Sequence, residues 1–477
     1  MDIVLAYINE NILGIAMMIA LIAVGIFVTY RLRVMQFTKF GYMMKNTAGS
    51  LLSKNQHTSD KSSVSPFQAV TTALAGTIGT GSIAGLATAL VVGGPGAVFW
   101  MWVSALLGMV TKFAEIVLSL KFREKNEEGA YVGGPMYYIS KGLGVKWLAA
   151  LFAIFAMIAC LGTGNATQSN SISGSIESAF SVPLWVTGLI LTVIVAAVIL
   201  GGVKRIASVN EKLVPIMAVF FILSAIVALC VNITKIPEAF GLIFAEAFNF
   251  SGTSVIGGVA GYGVIVAMRS GFNRGVFTNE AGLGSAPIAH AASSAKDPVK
   301  QGLWGMFEVF ITTIVICTLS ALVVLTSTVY LNSYSTGADP MVGEKVVKGA
   351  ALSSAAFGEA LPFIGVYGVT IATVFFALST ILGWAYYGEV CAGYLFKNHR
   401  KTAVTVYRII YVIVVFVGAI VDIDLVWTIA EMSNTLMALP NLIAIIGLSG
   451  LVVKAVSDHF SKKNCECETV PESDVEQ

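Results

Sequence analysis

Gly76, Gly79, Gly81 and Gly85 alternate with Thr77, Thr80 and Ser82 inside residues 71–90, an apolar stretch long enough to cross a bilayer. Glycine in a helix interior costs about 1 kcal/mol relative to alanine, so four such residues weaken this helix by roughly 4 kcal/mol. The helix is expected to break near its middle. In hydrocarbon a broken backbone is tolerated only where it is buried in protein or lines a cavity, because its freed N–H and C=O groups need partners. A bound anion and a bound cation are such partners: amides at the start of a half-helix suit a carboxylate, and carbonyls at the end of one suit a small cation. On this reading the amides around Thr80, Gly81 and Ser82 face the anion, the carbonyls of Ala75, Thr77 and Ile78 face the cation, and Gly79 lets the backbone approach the ligand. The competing reading is a small-residue face that packs two helices together.

A second cluster echoes the first. Gly282-Leu283-Gly284-Ser285-Ala286 repeats the pattern of Gly79-Thr80-Gly81-Ser82-Ile83-Ala84 and follows Thr278, Asn279 and Glu280. Thr77, Ser82, Thr278 and Asn279 supply neutral side-chain oxygens, the ligand type favoured by a hard cation such as sodium. Thr380 and Trp384, four apart on one helix face, either line a cavity together or serve their own backbone and core. Ionisable groups in apolar surroundings are costly and are usually paired or cavity-facing. Lys112 and Glu115, three apart, read as an internal ion pair, and Glu280 reads as a cap on the half-helix that follows it, with a proton relay as the alternative. Arg269 and Arg274 bracket Gly271 and read as an outward gate, an attractor for an anionic substrate group, or a lock between helices.

The elements that must position these residues are membrane helices. The chain of 477 residues is 56% hydrophobic and only 12% charged, with a mean hydropathy of +0.82, against about 25% charged in ordinary globular chains. Apolar blocks near 12–30, 66–90, 96–120, 147–168, 183–201, 213–231, 253–290, 302–329, 362–395, 404–420 and 425–453 read as eleven transmembrane helices. The fold class is therefore all-α, polytopic and embedded in the lipid bilayer. Amphipathic segments are expected at 37–52 and 236–248, and a polar outward loop at 330–361. A net charge of +2 without a basic run interleaved with aromatics argues against nucleic acid. The cysteines have neither zinc-site nor disulfide-framework spacing, and no Ser, His and acid set shares a depth, so an embedded enzyme is not expected.

Lys and Arg set the orientation. Taking 31–65 as cytoplasmic places 121–146, 202–212, 291–301, 396–403 and 454–477 on the same side, while the opposite side holds only Lys235, Lys345 and Lys348. The N-terminus is then outside, the C-terminus is cytoplasmic, and the protein is a multi-pass component of the cell membrane. The glycine echo divides the chain into a leading helix with a cytoplasmic amphipathic segment (1–65), a five-helix repeat (66–231), an outward connector (232–252), a second five-helix repeat (253–453) and a cytoplasmic tail (454–477), the tail from Cys465 reading as disordered. Two inverted repeats, each opening on an interrupted helix, point to a secondary transporter with its site at the midplane.

The motifs Gly76-Thr77-Ile78-Gly79-Thr80-Gly81, Gly93-Gly94-Pro95-Gly96-Ala97-Val98-Phe99-Trp100, Gly133-Gly134-Pro135-Met136, Arg274-Gly275-Val276-Phe277-Thr278-Asn279-Glu280-Ala281-Gly282 and Gly383-Trp384-Ala385-Tyr386-Tyr387-Gly388-Glu389 strongly resemble the alanine or glycine:cation symporter family, from about residue 10 to 455. The resemblance implies a leucine-transporter-like fold and sodium-coupled uptake of alanine or glycine by alternating access. It also implies a substrate pocket that includes Gln168, Phe277, Asn279, Thr380 and Trp384, and a sodium site made by the Ala75 and Ile78 carbonyls with Ser379 and Thr380. One position departs from the family: Ser82 stands where members commonly have asparagine, which bears on the size of the accepted amino acid. Alternatives are proton coupling, a preference for serine or glutamine and, from another class, an ion channel. A channel would need carbonyl or charge rings, which two unequal halves do not supply.

Overall fold

The computed structural model describes residues 14–51, 64–249, 263–342, 345–347, 349–362, 365–421 and 423–468. Parts of the expected first and seventh spans, at 12–13 and 253–262, and the end of the tail from 469 lie outside the described residues. The molecule is helical, and the strands among the described residues are two short antiparallel pairs, Glu124–Lys125 with Tyr131–Val132 and Met341–Val342 with Lys345–Val346.

The leading helix Gly14–Arg31 is followed by three short helices that end at Leu51, where the amphipathic segment is expected. The first broken helix then starts at a capping box: the Ser65 hydroxyl accepts the Gln68 amide, the Gln68 side chain accepts the Ser65 amide, and Pro66 occupies the first turn. Two orphan amides are thereby satisfied and the start of the helix is fixed. It runs over Pro66–Thr77, breaks at 78–83 and resumes over Ala84–Gly93. The second broken helix runs over Gly263–Asn279 and resumes over Ala286–Ala291. Its break alternates left-handed residues, Glu280 at φ 57°, Gly282 at 88° and Gly284 at 81°, so a regular helix cannot pass through it.

Between them lies Gly96–Phe122, buried along most of its length. It packs against the leading helix, both halves of the second broken helix, and Pro298–Val309. Small residues allow the approach: a Cβ on Gly271 would lie 2.3 Å from the Ala97 carbonyl oxygen. Where lipid replaces water, close approach of this kind takes over from the hydrophobic effect as the source of helix association. Leu184–Ile199, Gly202–Val231 and Arg400–Ile420 expose apolar residues such as Ile190, Val193, Ile216, Val219, Ile409 and Ile413, as a lipid-facing shell requires.

Among the described residues, eight helices are long and apolar enough to cross a membrane. The other three members of the eleven-span reading are the two broken helices and Leu184–Ile199, whose 16 residues cover only about 24 Å at 1.5 Å per residue. The segment expected as an outward loop contains helices Thr328–Thr336 and Ala350–Ala360, and the last helix continues to Glu468, past the expected start of a disordered tail. The second amphipathic segment is the helix Ile236–Ala247, against which the Phe99 and Trp102 rings pack.

The expected pairing of Lys112 with Glu115 is not what the structure contains. Lys112 Nζ pairs with Glu308 Oε2 at 3.0 Å, and Glu115 instead accepts the Asn441 amide. Spacing within one helix places two groups near each other, but partners from other helices provide the hydrogen-bond geometry that a buried charge requires.

Lys146–Leu161 and Thr167–Phe180 are joined by a widened turn at 162–166, where a Cβ on Gly164 would lie 2.3 Å from Trp384 Cβ. Gly174, on the next helix, has nothing within 4 Å of its Cβ position. Gly164→Ala is therefore expected to destabilise the protein by about 1–3 kcal/mol through overpacking. Gly174→Ala should be neutral or stabilising by up to about 1 kcal/mol. Thermal unfolding of the two variants in detergent checks the contrast, and equal melting temperatures would contradict the packing described.

Candidate substrate and cation site

The two breaks face each other across a small cavity of about 210 Å³. Of the residues expected in a substrate site, Thr77, Gly79, Gly81, Gln168, Phe277, Thr380 and Trp384 line it. Thr80 stands just behind: its amide and hydroxyl both donate to Gln168 Oε1, at 3.3 and 3.0 Å. The Gln168 amide in turn donates to the Thr163 carbonyl at 3.0 Å, so that one side chain ties the first break to the 162–166 turn.

Ser82, Thr278 and Asn279 are buried but are not part of this lining. Thr278 donates to the Arg274 carbonyl of its own helix, and Asn279 Oδ1 accepts the Ala281 amide inside the break. The Ser82 amide turns to the Gly79 carbonyl at 3.3 Å. Of the three amides expected to face an anion, those of Thr80 and Ser82 are thus engaged within the protein, and Gly81 remains on the cavity wall.

Three lining residues were absent from the expected substrate set: Gly76, Thr163 and Glu280. Glu280 was noticed in the sequence as an ionisable residue, but for a different role. Its Oε1 accepts the Trp384 indole at 2.8 Å and its Oε2 accepts the Ser285 hydroxyl at 2.5 Å. It therefore meets the side chain at the start of the following half-helix, whereas the expected cap would have used that helix's amides. The left-handed backbone at Glu280 sends its carboxylate toward the cavity and the first break: a Cβ added at Gly76 would lie 2.9 Å from Tyr387 Oη, 3.2 Å from Glu280 Oε1 and 3.4 Å from Trp384 Nε1. Thr163 carried a faint signal, a Gly-Thr-Gly-Asn run inside an apolar span, of the same kind that marks the breaks.

The residues expected to hold a cation are partly assembled. Thr380 Oγ1 lies 2.8 Å from the Ala75 carbonyl oxygen and 2.9 Å from that of Phe376. Ser379 turns its hydroxyl to the Phe376 carbonyl at 2.9 Å and toward Met217. Ile78 is buried at the end of the first half-helix, its amide bonded to the Leu74 carbonyl. A Cβ on Gly79 would come within 2.6 Å of Thr380 Oγ1, so the glycine is what lets the two helices meet there. Such carbonyl and hydroxyl oxygens suit an alkali cation. Among the described residues no cluster of three or more His, Cys, Asp or Glu offers a transition-metal site.

Other cavities lie elsewhere in the molecule. One of about 1150 Å³ is lined by Glu128, Arg400 and Lys401 and by Glu389, which takes two hydrogen bonds from the Arg408 guanidinium at 2.8 and 2.7 Å. Another, of about 540 Å³, lies against the leading helix and contains Arg269 and Glu431, with Phe277 shared between it and the central cavity. Arg274 pairs with Glu431 at 3.1 Å, joining the second broken helix to the last helix.

Known proteins share this fold and much of this sequence. The solved structure of MhsT in complex with L-phenylalanine superposes with a TM-score of 0.53 at 15% identity, covering 82% of this chain and 89% of that one. A substrate-bound outward-open Na+-coupled sialic acid symporter gives 0.52 at 12% identity, covering 87% of this chain and 82% of that one. At these identities the likeness is one of fold, that of leucine-transporter-like carriers. In sequence, the sodium/alanine symporter AgcS of Methanococcus maripaludis is 45% identical over 452 residues, 94% of both chains. The probable sodium/glutamine symporter GlnT of Bacillus subtilis is 36% identical over 474 residues, 98% of this chain and 94% of that one. The profile of the sodium:alanine symporter family matches residues 1–473. With two broken helices around a small polar cavity and a family match along almost its whole length, the chain belongs to the sodium:alanine symporter family, and it is a transporter, not an enzyme.

Proposed function

We propose that this protein takes a small neutral amino acid, alanine or glycine, into the cell together with sodium by alternating access, with the N-terminus outside and the C-terminus in the cytoplasm. The observation that carries the substrate reading is the lining of the central cavity, which is made largely of backbone, small side chains and rings and leaves little room. Glycine backbone at 76, 79 and 81 forms one wall and the Trp384 indole part of the other. An amino acid presents one ammonium and one carboxylate. Glu280 is the carboxylate among the lining residues, so the ammonium is placed toward it and the substrate carboxylate toward Gly81.

The approach of Ala75 O to Thr380 Oγ1 supports the sodium reading. A cation entering there rotates the Thr380 hydroxyl proton away and draws the two oxygens, with Ile78 and Ser379, into its shell. Because one half of the site belongs to a broken helix and the other to Gly365–Leu395, sodium favours the arrangement in which the two are together. A ligand shifts an equilibrium only by its differential affinity, and this dependence on the two helices' separation supplies it. On this reading the Arg274–Glu431 pair closes the outward side, and the cavity of about 1150 Å³ is the cytoplasmic vestibule.

The placement of Glu280 on the cavity wall favours one second reading, proton coupling through that carboxylate. Initial uptake of radiolabelled alanine into proteoliposomes separates the two. An inward sodium gradient at constant pH is expected to drive uptake that potassium does not, with glycine competing better than glutamine. Uptake that follows a pH gradient and ignores sodium would assign the coupling to Glu280, and stronger competition by glutamine would assign a larger substrate.

Residue tests follow from the same contacts. Thr380→Ala removes a hydroxyl from the proposed ion shell, and hydrogen bonds to charged groups contribute about 1.5–3 kcal/mol. The sodium concentration for half-maximal uptake should rise roughly 10- to 100-fold, while Thr380→Ser stays near wild type. Trp384→Phe leaves Glu280 Oε1 without its indole donor, and the alanine KM should rise roughly 5- to 100-fold at saturating sodium. An unchanged sodium response in the first, or an unchanged KM in the second, would remove that residue from the site.

A further inference from the structure

The first halves of the two broken helices end in carbonyls that are met by different groups. At the first break the Ala75 carbonyl faces a neutral hydroxyl, that of Thr380. At the second break the Asn279 carbonyl accepts a hydrogen bond from the Lys112 ammonium at 3.0 Å. Lys112 is fully buried on Gly96–Phe122 and is paired with Glu308 at 3.0 Å. Glu308 Oε1 lies 2.7 Å from His290 Nε2, and His290 Nδ1 lies 2.8 Å from the Gln301 amide nitrogen. The Gln301 amide donates to Nδ1, which leaves the Nε2 proton to be donated to Glu308.

From the last residue of Gly263–Asn279 this chain of contacts reaches His290 on Ala286–Ala291, so it spans the break. Its energetics argue for a role beyond cohesion. Desolvating an ammonium and a carboxylate is costly, and well-packed apolar residues often hold helices together at least as well. What an apolar pair cannot supply is a positive charge at the carbonyl end of a helix, where the macrodipole places about half a negative charge. Phe277 and Glu280, on either side of Asn279, are both walls of the central cavity.

We propose that Lys112 is a resident cation, permanently occupying at the second break the place that the transported sodium occupies transiently at the first. Ion coupling then acts through the first break alone. The second break is held in one shape, and Lys112 is a positioning residue for the Phe277 and Glu280 wall. The inference rests on the sodium reading for the first break, but its test does not.

Lys112→Met and Glu308→Gln alone each leave an uncompensated buried charge, whereas the double variant K112M/E308Q removes both charges together. K112Q/E308Q also removes both and retains amides able to rebuild the hydrogen bonds. Whichever double variant is recovered folded, with a melting temperature near wild type, is expected to show an alanine KM at least tenfold higher with a maximal rate within about threefold. A folded double variant whose KM stays within twofold of wild type would make Lys112 an ordinary partner of Glu308 and overturn the proposal, as would the failure of both double variants to fold. Sodium-independent uptake by the wild type would overturn the coupling reading instead, and the KM comparison would still decide the role of Lys112 with whatever ion drives transport.

Discussion

Backbone that leaves the helix in a medium without water must find its hydrogen bonds elsewhere, and the packing around this protein's centre follows from that need. The unwound or terminal carbonyls are served by side chains from other elements. Thr380 meets Ala75, Lys112 meets Asn279, Asn441 meets Gly282, Ser119 meets Pro287 and Ser353 meets Ile83. Arg123 reaches the carbonyls of Ala291, Ser293 and Ala295 at the end of the second broken helix. These contacts run between distant parts of the chain, so the breaks fix the tertiary structure as much as the tertiary structure tolerates the breaks.

The donors differ in how firmly they hold. A serine or threonine hydroxyl can rotate and accept as well as donate, so a carbonyl it serves remains open to a cation. An ammonium only donates, and an arginine presents a rigid fork. The first break is served by hydroxyls of Thr380 and Ser353, whereas the second broken helix is served by Lys112, Asn441 and Arg123 besides the Ser119 hydroxyl. The two breaks thus differ in the charge and rigidity of the groups that serve them.

Tight packing confines the cavity to its small volume. Trp384 fills the space left by Gly164, and Thr380 reaches the space left by Gly79. The indole that forms part of the wall is held at its nitrogen by Glu280, while Tyr411 bonds the carbonyls of Ile381 and Gly164 behind it. The walls of the cavity are therefore mostly fixed backbone and rigid rings rather than flexible side chains.

Much of this architecture was legible in the chain itself. Glycine and hydroxyl spacing at 76–85 and 279–285 marks where a helix cannot continue, because local backbone cost depends on residue type and little else. Apolar length locates the long spans, amphipathic periodicity locates the helices near 40 and 240, and the family motifs carry the identity. Only the tertiary structure decided which faces meet. Lys112 turns to Glu308 and Asn279 instead of Glu115, Asn279 and Thr278 spend their side chains on backbone behind the wall, and Thr163 and Glu280 join the cavity. A helical position says which residues share a side of one helix. Which distant group best satisfies a buried charge or carbonyl depends on how the helices pack around it, and no spacing along the chain contains that information.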